Sequence, residues 1–359
     1  MNQLQPGLLQ TRRHFEILDG LRGVAAIVVV VFHFLECVYS DYSRNITGHG
    51  FLAVDFFFCL SGFVIAYAYD GRMEKLGVKE FFKSRLIRLH PLVFMGAVLG
   101  ILTFYLDPLS TYRFHYSGGY MALLFLATAL LIPVPVMPER LLNLFVLNAP
   151  AWSLFWEYIA NIVYALVLWR LKRVWLLVIA IVAAALLVAM SLHYNTVGMG
   201  WGGPSFWGGG ARLACELTAG MVVYRYKWII PNRLGFPGLT LLLLGALMMP
   251  YFKYNLYVEL ALAILYCPLL VALGAGAVLK PYLQPLCRFS GAISYPLYMV
   301  HYGFIWIFWE YIVLHKSSIG EITWIVVMGV LLLVAFAYFI LKVYDEPVRR
   351  YFTNRRKAA

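Results

Sequence analysis

Charge is scarce in this chain of 359 residues. Only 13% of them are Asp, Glu, Lys or Arg, and acids number 17 against 29 bases. With 62% apolar residues and a mean hydropathy of +0.77, so little charge excludes a disordered, solvated polymer and an ordinary soluble domain alike. Cysteine is sparse too. Cys37, Cys59, Cys215, Cys267 and Cys287 show no paired spacing, so neither a disulfide framework nor a metal site follows from them. There is no low-complexity segment and no evident internal repeat. No cleavable leader is evident, because the first apolar run carries Arg22, His33 and Glu36 and reads as a retained signal anchor.

What is present is a succession of apolar runs, each long enough to cross a hydrocarbon core of ~30 Å as a helix. The chain therefore reads as an all-α polytopic membrane protein. About ten transmembrane helices are expected, near 21–40, 51–69, 91–107, 152–169, 174–193, 211–226, 236–252, 256–279, 290–312 and 321–342. The piece 119–147 is ambiguous. It holds the Pro-rich run Pro133-Val-Pro-Val-Met-Pro138 and is either an eleventh span or a re-entrant, surface-lying segment.

Cytoplasmic loops collect Lys and Arg, so the bases arbitrate. If 119–147 does not cross, twenty-two bases fall on one face and five on the other, with Arg22 and Arg212 inside spans. If it crosses, the division is eleven against sixteen. The ten-span reading follows, with both termini cytoplasmic: an N-terminal segment 1–20, a transmembrane domain 21–342 and a basic tail 343–359. The net charge of +12 is then topology signal and lipid contact, not a nucleic-acid surface.

The chemistry concentrates in Leu18-Asp-Gly-Leu-Arg22 and the run that ends at His33. Eleven residues make three helical turns plus about 20°, so Arg22 and His33 share a face roughly 16 Å apart along the axis. Ionisable groups inside a span are costly and default to function, although Arg22 can also snorkel to the headgroups. In the ten-span topology the first span runs outward and leaves His33 in the outer half, while the spans of Asp55 and Glu157 enter from outside, which allows an outer-half cluster of the three. Lys83, Arg85 and Arg88, with Arg12 and Arg13, make a basic lip beside Arg22. That lip is either a positive-inside collar or a seat for a phosphorylated ligand, since Arg forks match phosphate oxygens. Pro296 interrupts the helix that carries His301 to mid-membrane.

Six ordered segments resemble the membrane acyltransferase-3 family of integral-membrane O-acyltransferases. They are Leu18–Arg22 with His33, Gly50–Phe63, Phe82–Pro91, Ala151-Trp-Ser-Leu-Phe-Trp-Glu157, Ile293–His301 and Asp345-Glu-Pro-Val-Arg-Arg350, spread over nearly the whole chain. Two departures stand out: a lone Glu157 where relatives commonly carry two acids, and His90 where a Tyr is usual. Some relatives carry a further extracytoplasmic hydrolase-like domain, and this chain is expected to lack one.

The resemblance implies transfer of an acyl group, most often acetyl, from cytoplasmic acyl-CoA to a hydroxyl on the far side of a bacterial inner membrane. Acyl-CoA would be a co-substrate, with no resident cofactor or metal. The acceptor would be a surface polysaccharide, a lipid-linked glycan or another hydroxyl compound, and a homodimer or glycan-assembly partners are compatible. His33 is the expected general base, with Arg22, Asp19, Glu157 and Asp55 in the catalytic group and Glu36 as another acid able to orient the ring. Arg85, Arg88, Lys83 and Arg22 would hold acyl-CoA. Tyr295, Tyr298, His301 and Trp152 would contact acceptor or oxyanion. A proton-coupled transporter or flippase, or a non-catalytic scaffold of an envelope complex, is the alternative reading.

Overall fold

A computed structural model describes residues 15–358. Within them the chain is helical. Its main helices are α1 (Glu16–Val38), α2 (Ala53–Tyr69), α3 (Met73–Leu106), α4 (Gly118–Ala129), α5 (Ala151–Leu166), α6 (Arg173–Tyr194) and α7 (Phe206–Arg225). The second half adds α8 (Gly235–Leu247), α9 (Asn255–Ala261), α10 (Cys267–Gly276), α11 (Gln284–Val300), α12 (Tyr302–Leu314), α13 (Ile319–Ile340) and α14 (Glu346–Ala358). One turn of π-helix, Leu262–Tyr266, joins α9 to α10, and a second, Leu341–Asp345, joins α13 to α14.

Every expected apolar run contains helix, but fewer are full spans. Among the described residues six helices are long and apolar enough to cross a membrane, or seven if the bent pair α11–α12 is one span. The others fall short for separate reasons: α5 has 16 residues and α8 has 13, while α7 has 20 but carries Arg212 and Glu216. The ambiguous piece turns back. At 12 residues α4 is about 18 Å long, too short for the core. The chain after it is tied by Val134 N–H to the Leu144 carbonyl (2.8 Å) and by Leu144 N–H to the Trp201 carbonyl (3.0 Å).

Small residues set the central packing. The closest contacts run between α1 and α11 and between α2 and α7. A Cβ on Gly23 would sit 2.1 Å from Ser290 Oγ, and one on Gly62 would sit 2.0 Å from the Leu217 carbonyl oxygen. Glycine lets the backbones touch where lipid supplies no hydrophobic drive for association.

Two local findings differ from the sequence reading. The stretch 70–90, left between the expected spans 51–69 and 91–107, is largely helix: α3 starts at Met73, bends at Gly77 (φ 75°) and carries Arg85 and Arg88 on continuous helix into the bundle. Hydropathy stops at the charges, whereas the helix does not. The second concerns Pro296, which lies inside α11 without ending it. The 55° bend falls at His301, whose ring Nδ1–H donates to the Leu297 carbonyl (3.0 Å) and so occupies an acceptor at the helix end.

Candidate active site

The bundle encloses two cavities that share Val54 and Tyr298 as walls. The first, of ≈ 280 Å³, is lined by Arg22, Arg85 and Arg88 and by Ser61, Glu157 and Tyr295. Arg22 is held on three sides: Nε donates to Ser294 Oγ (2.8 Å), Nη2 to the Gly291 carbonyl (2.8 Å), and Nη1 pairs with Asp19 (3.1 Å). Arg85 Nη2 and Ser61 Oγ both donate to Glu157 Oε1, at 2.8 and 2.7 Å. The π-turn before α14 brings Asp345 and Arg349 to the same wall.

The second cavity, of ≈ 550 Å³, holds His33 and Glu36. His33 Nδ1 lies 2.6 Å from Glu36 Oε1, one helical turn away on α1. A carboxylate only accepts, so Nδ1 carries a proton, and the neutral tautomer this selects has its lone pair on Nε2. Tyr42 donates to the other carboxylate oxygen, Oε2 (3.3 Å). Behind His33 stands His301, ring centroids 5.3 Å apart and nearly parallel, with Tyr302 edge-on at 4.9 Å. The remaining surface is rich in aromatics, Trp152, Trp201, Trp306 and Trp309 among them. The arrangement is that of a carboxylate-oriented imidazole facing an aromatic chamber.

A family model described as an acyltransferase domain matches residues 15–341. The chain belongs to the acyltransferase-3 family. It is similar to "Protein 2 in picA locus" of Rhizobium radiobacter, 34% identical over 191 residues that cover 49% of this chain and 94% of that protein. It also resembles the O-acetyltransferase OatA of Staphylococcus aureus, 36% identical over 95 residues. The peptidoglycan O-acetyltransferase OatA of Listeria monocytogenes is 32% identical over 95 residues. These two alignments cover 26% of this chain and 14% of each relative. No solved structure matches.

With the acyltransferase assigned, the expected site residues sort by cavity. Arg22, Arg85 and Arg88 gather in one chamber, while Lys83 faces solvent, paired with Glu80 (2.8 Å). Arg12 and Arg13 lie outside the described residues. The cluster of His33, Asp55 and Glu157 does not assemble. Glu157 is six residues into α5, about 9 Å along its axis from Ala151, and pairs with Arg85 in the chamber that His33 does not line. Asp55 is wholly buried and makes a two-pronged bond to Arg212, Nε–Oδ1 2.9 Å and Nη2–Oδ2 2.6 Å. The acid that reaches the imidazole is Glu36.

Of the expected acceptor contacts, Tyr298 lines both cavities and shares a hydrogen bond with Ser153 (2.8 Å). Trp152 lines the His33 cavity, and Tyr295 lines the arginine cavity, its hydroxyl on the Leu89 carbonyl (2.6 Å). His301 lines neither. It is fully buried, and its Nε2 has no hydrogen-bond partner among the described residues. Sequence reasoning placed Arg212 inside a span but gave it no role. The signal was available in an apolar helix carrying Arg212 and Glu216 one turn apart.

Proposed function

We propose that the protein moves an acyl group, acetyl in the first instance, from cytoplasmic acyl-CoA to a hydroxyl of a glycan on the far side of the bacterial inner membrane. What carries the reading is the pair of cavities meeting at Val54 and Tyr298, one arginine-lined and the other holding His33 and Glu36. In this reading the arginine cavity opens to the cytoplasm in the ten-span topology. Its guanidinium groups receive the nucleotide phosphates, and the uncharged pantetheine arm passes Tyr298 to present the thioester near His33. The relatives named as O-acetyltransferases support acetyl as the group moved.

The acceptor hydroxyl gives its proton to His33 Nε2 while its oxygen attacks the thioester carbonyl carbon. Glu36 stabilises the imidazolium as it forms. The tetrahedral intermediate collapses with cleavage of the C–S bond, and the thiolate of CoA takes the proton back from Nε2. The Tyr298 hydroxyl, at the junction, donates to Ser153 Oγ, whose own proton goes to the Pro150 carbonyl, and it reaches the oxyanion by turning away from Ser153. Direct attack is preferred over an acyl-enzyme. Ser61 is the hydroxyl bonded to a carboxylate in the donor cavity, but Glu157 shares that same oxygen with Arg85, which weakens it as a base.

The deciding experiment incubates purified protein in detergent with radiolabelled acetyl-CoA and then compares acetyl content of surface glycans with and without the gene. Consumption of acetyl-CoA together with gene-dependent glycan acetylation supports the reading; neither, with folded, monodisperse wild-type protein, removes it. Trapped label on the protein in the absence of acceptor would replace direct attack by a two-step route.

Two variants test the parts. Glu36→Gln keeps the volume but lets the amide donate to Nδ1, turning the proton to Nε2 and blocking the base; kcat is expected to fall by about 10–10²-fold, with the KM for acetyl-CoA unchanged. Arg22→Lys keeps one charge but loses the fork to Ser294 and Gly291, so KM for acetyl-CoA is expected to rise by about tenfold. Steady-state kinetics at saturating acceptor separates the two effects. Equal kcat for Glu36→Gln and wild type would take Glu36 out of the mechanism.

A further inference from the structure

A second wall of the His33 cavity, built by α9 and the turn before it, has no part in the chemistry above. Its foundation is His49, fully buried, with Nδ1 bonded to the Met249 carbonyl (3.0 Å). That partner only accepts, so Nε2 is bare and receives an N–H of Asn255 (2.8 Å). The other amide proton of Asn255 goes to Glu259 Oε1 (3.2 Å), and its Oδ1 accepts from Phe252 N–H (3.2 Å). Both Asn255 donors are thereby engaged, and the amide is a strut rather than a reader.

Glu259 is what the strut aims. The residue is 5% exposed and lines the cavity. Its Oε1 takes Asn255 and lies 3.4 Å from His49 Nε2, whereas Oε2 accepts no hydrogen bond from any described residue. Tyr251 lies flat on His49, ring centroids 4.1 Å apart, anchors its hydroxyl on the Gly48 carbonyl (3.1 Å) and turns to the same cavity.

A carboxylate oxygen on a cavity wall with nothing to accept selects a hydrogen-bond donor and repels an anion. An aromatic face beside it receives a C–H surface. Together they match the hydroxyl edge and apolar face of a sugar ring. Glu36 in the same chamber adds a second negative charge. Of the lining cations, Arg212 has its donors on Asp55 and on the Met199 and Phe51 carbonyls, and Lys253 stands exposed over the Tyr254 ring, where solvent screens its charge.

We infer that Glu259, held by Asn255, which His49 in turn anchors, and flanked by Tyr251, forms an acceptor subsite that takes a neutral polyhydroxyl ring and rejects a uronic or phosphorylated one. The inference deepens the glycan reading above and rests on it.

The test is a titration of purified protein, followed by the fluorescence of the cavity tryptophans, with cellobiose, maltose and chitobiose and with glucuronosyl-glucose. Wild type is expected to give a saturable change with at least one neutral disaccharide and to bind the acidic one about tenfold more weakly or worse. Glu259→Gln and Glu259→Ala are expected to lose about tenfold or more for the neutral sugar, with Glu259→Asp between, and Glu259→Gln to narrow the discrimination against the acid. No saturable signal from any neutral disaccharide, or equal affinity in wild type and Glu259→Gln, overturns the inference. So does a collapse of the melting temperature in Gln, Ala and Asp variants alike, which would make Glu259 structural. The titration needs no acetyl-CoA: sugar binding without acyl transfer would leave the subsite and remove the enzyme reading, and transfer indifferent to Glu259 would do the reverse.

Discussion

Replacing His33 by alanine is expected to lower acyl transfer by about 10²–10⁴-fold, the usual worth of a positioned general base. The same change should barely touch the fold. The His33 side chain is 19% exposed to its cavity, and Glu36 keeps the Tyr42 hydroxyl as a partner after the ring is gone. A loss of about 1 kcal/mol, seen as a fall of about 2–4 °C in melting temperature, is the scale for a partly exposed contact in a chain of this size. Because the ring opens on a chamber of ≈ 550 Å³, free imidazole can reach the vacated position. Added imidazole should therefore restore part of the rate in His33→Ala and do nothing for wild type. Wild-type turnover in the variant would sink the base, and a lost rate that follows a lost fold without imidazole rescue would make His33 structural.

The contrast between Glu36 and the other acids marks how far the sequence reads. An eleven-residue step places Arg22 and His33 on one helical face, and α1 delivers them to two joined cavities. Glu36 is three residues from His33, so its contact is local and follows from helical geometry alone. Asp55 and Glu157 are different. Span order assigns an approximate depth to each but says nothing of rotation about the helix or of which helices are neighbours. Their partners, Arg212 and Arg85, are 157 and 72 residues away in sequence. The all-helical class was legible from hydropathy. The number of full-length spans was not, because α5, α7 and α8 are short or interrupted by charge. The same limit hid the His49–Asn255–Glu259 wall, whose members are polar residues from the turn before α2 and from α9, 206 residues apart at the His49–Asn255 contact.

Asp55 supplies the second large effect, and it divides the sequence reading from the geometry. A catalytic Asp55 would lose rate on substitution while the fold stayed intact. The geometry instead expects stability to go first. Asp55 and Arg212 are 0% and 1% exposed, in a bundle whose surroundings cannot solvate a charge left alone. Removing either partner of such a pair costs about 3–5 kcal/mol, so Asp55→Leu and Arg212→Leu should each melt far below wild type in detergent. The double variant, which leaves no charge of this pair behind, should melt above both singles. Glu216 sharpens the experiment. It is buried one turn from Arg212, and neither of its carboxylate oxygens has a hydrogen-bond partner among the described residues. In the wild-type background Glu216→Gln should therefore be nearly silent, within about 1 kcal/mol, since no bond is lost. In Asp55→Asn it should be costly, because Glu216 is then the buried carboxylate on Arg212's own helix able to take the guanidinium. The cycle of four proteins reports that coupling directly. An Asp55→Asn protein that melts with wild type but turns over nothing would return Asp55 to the catalytic group.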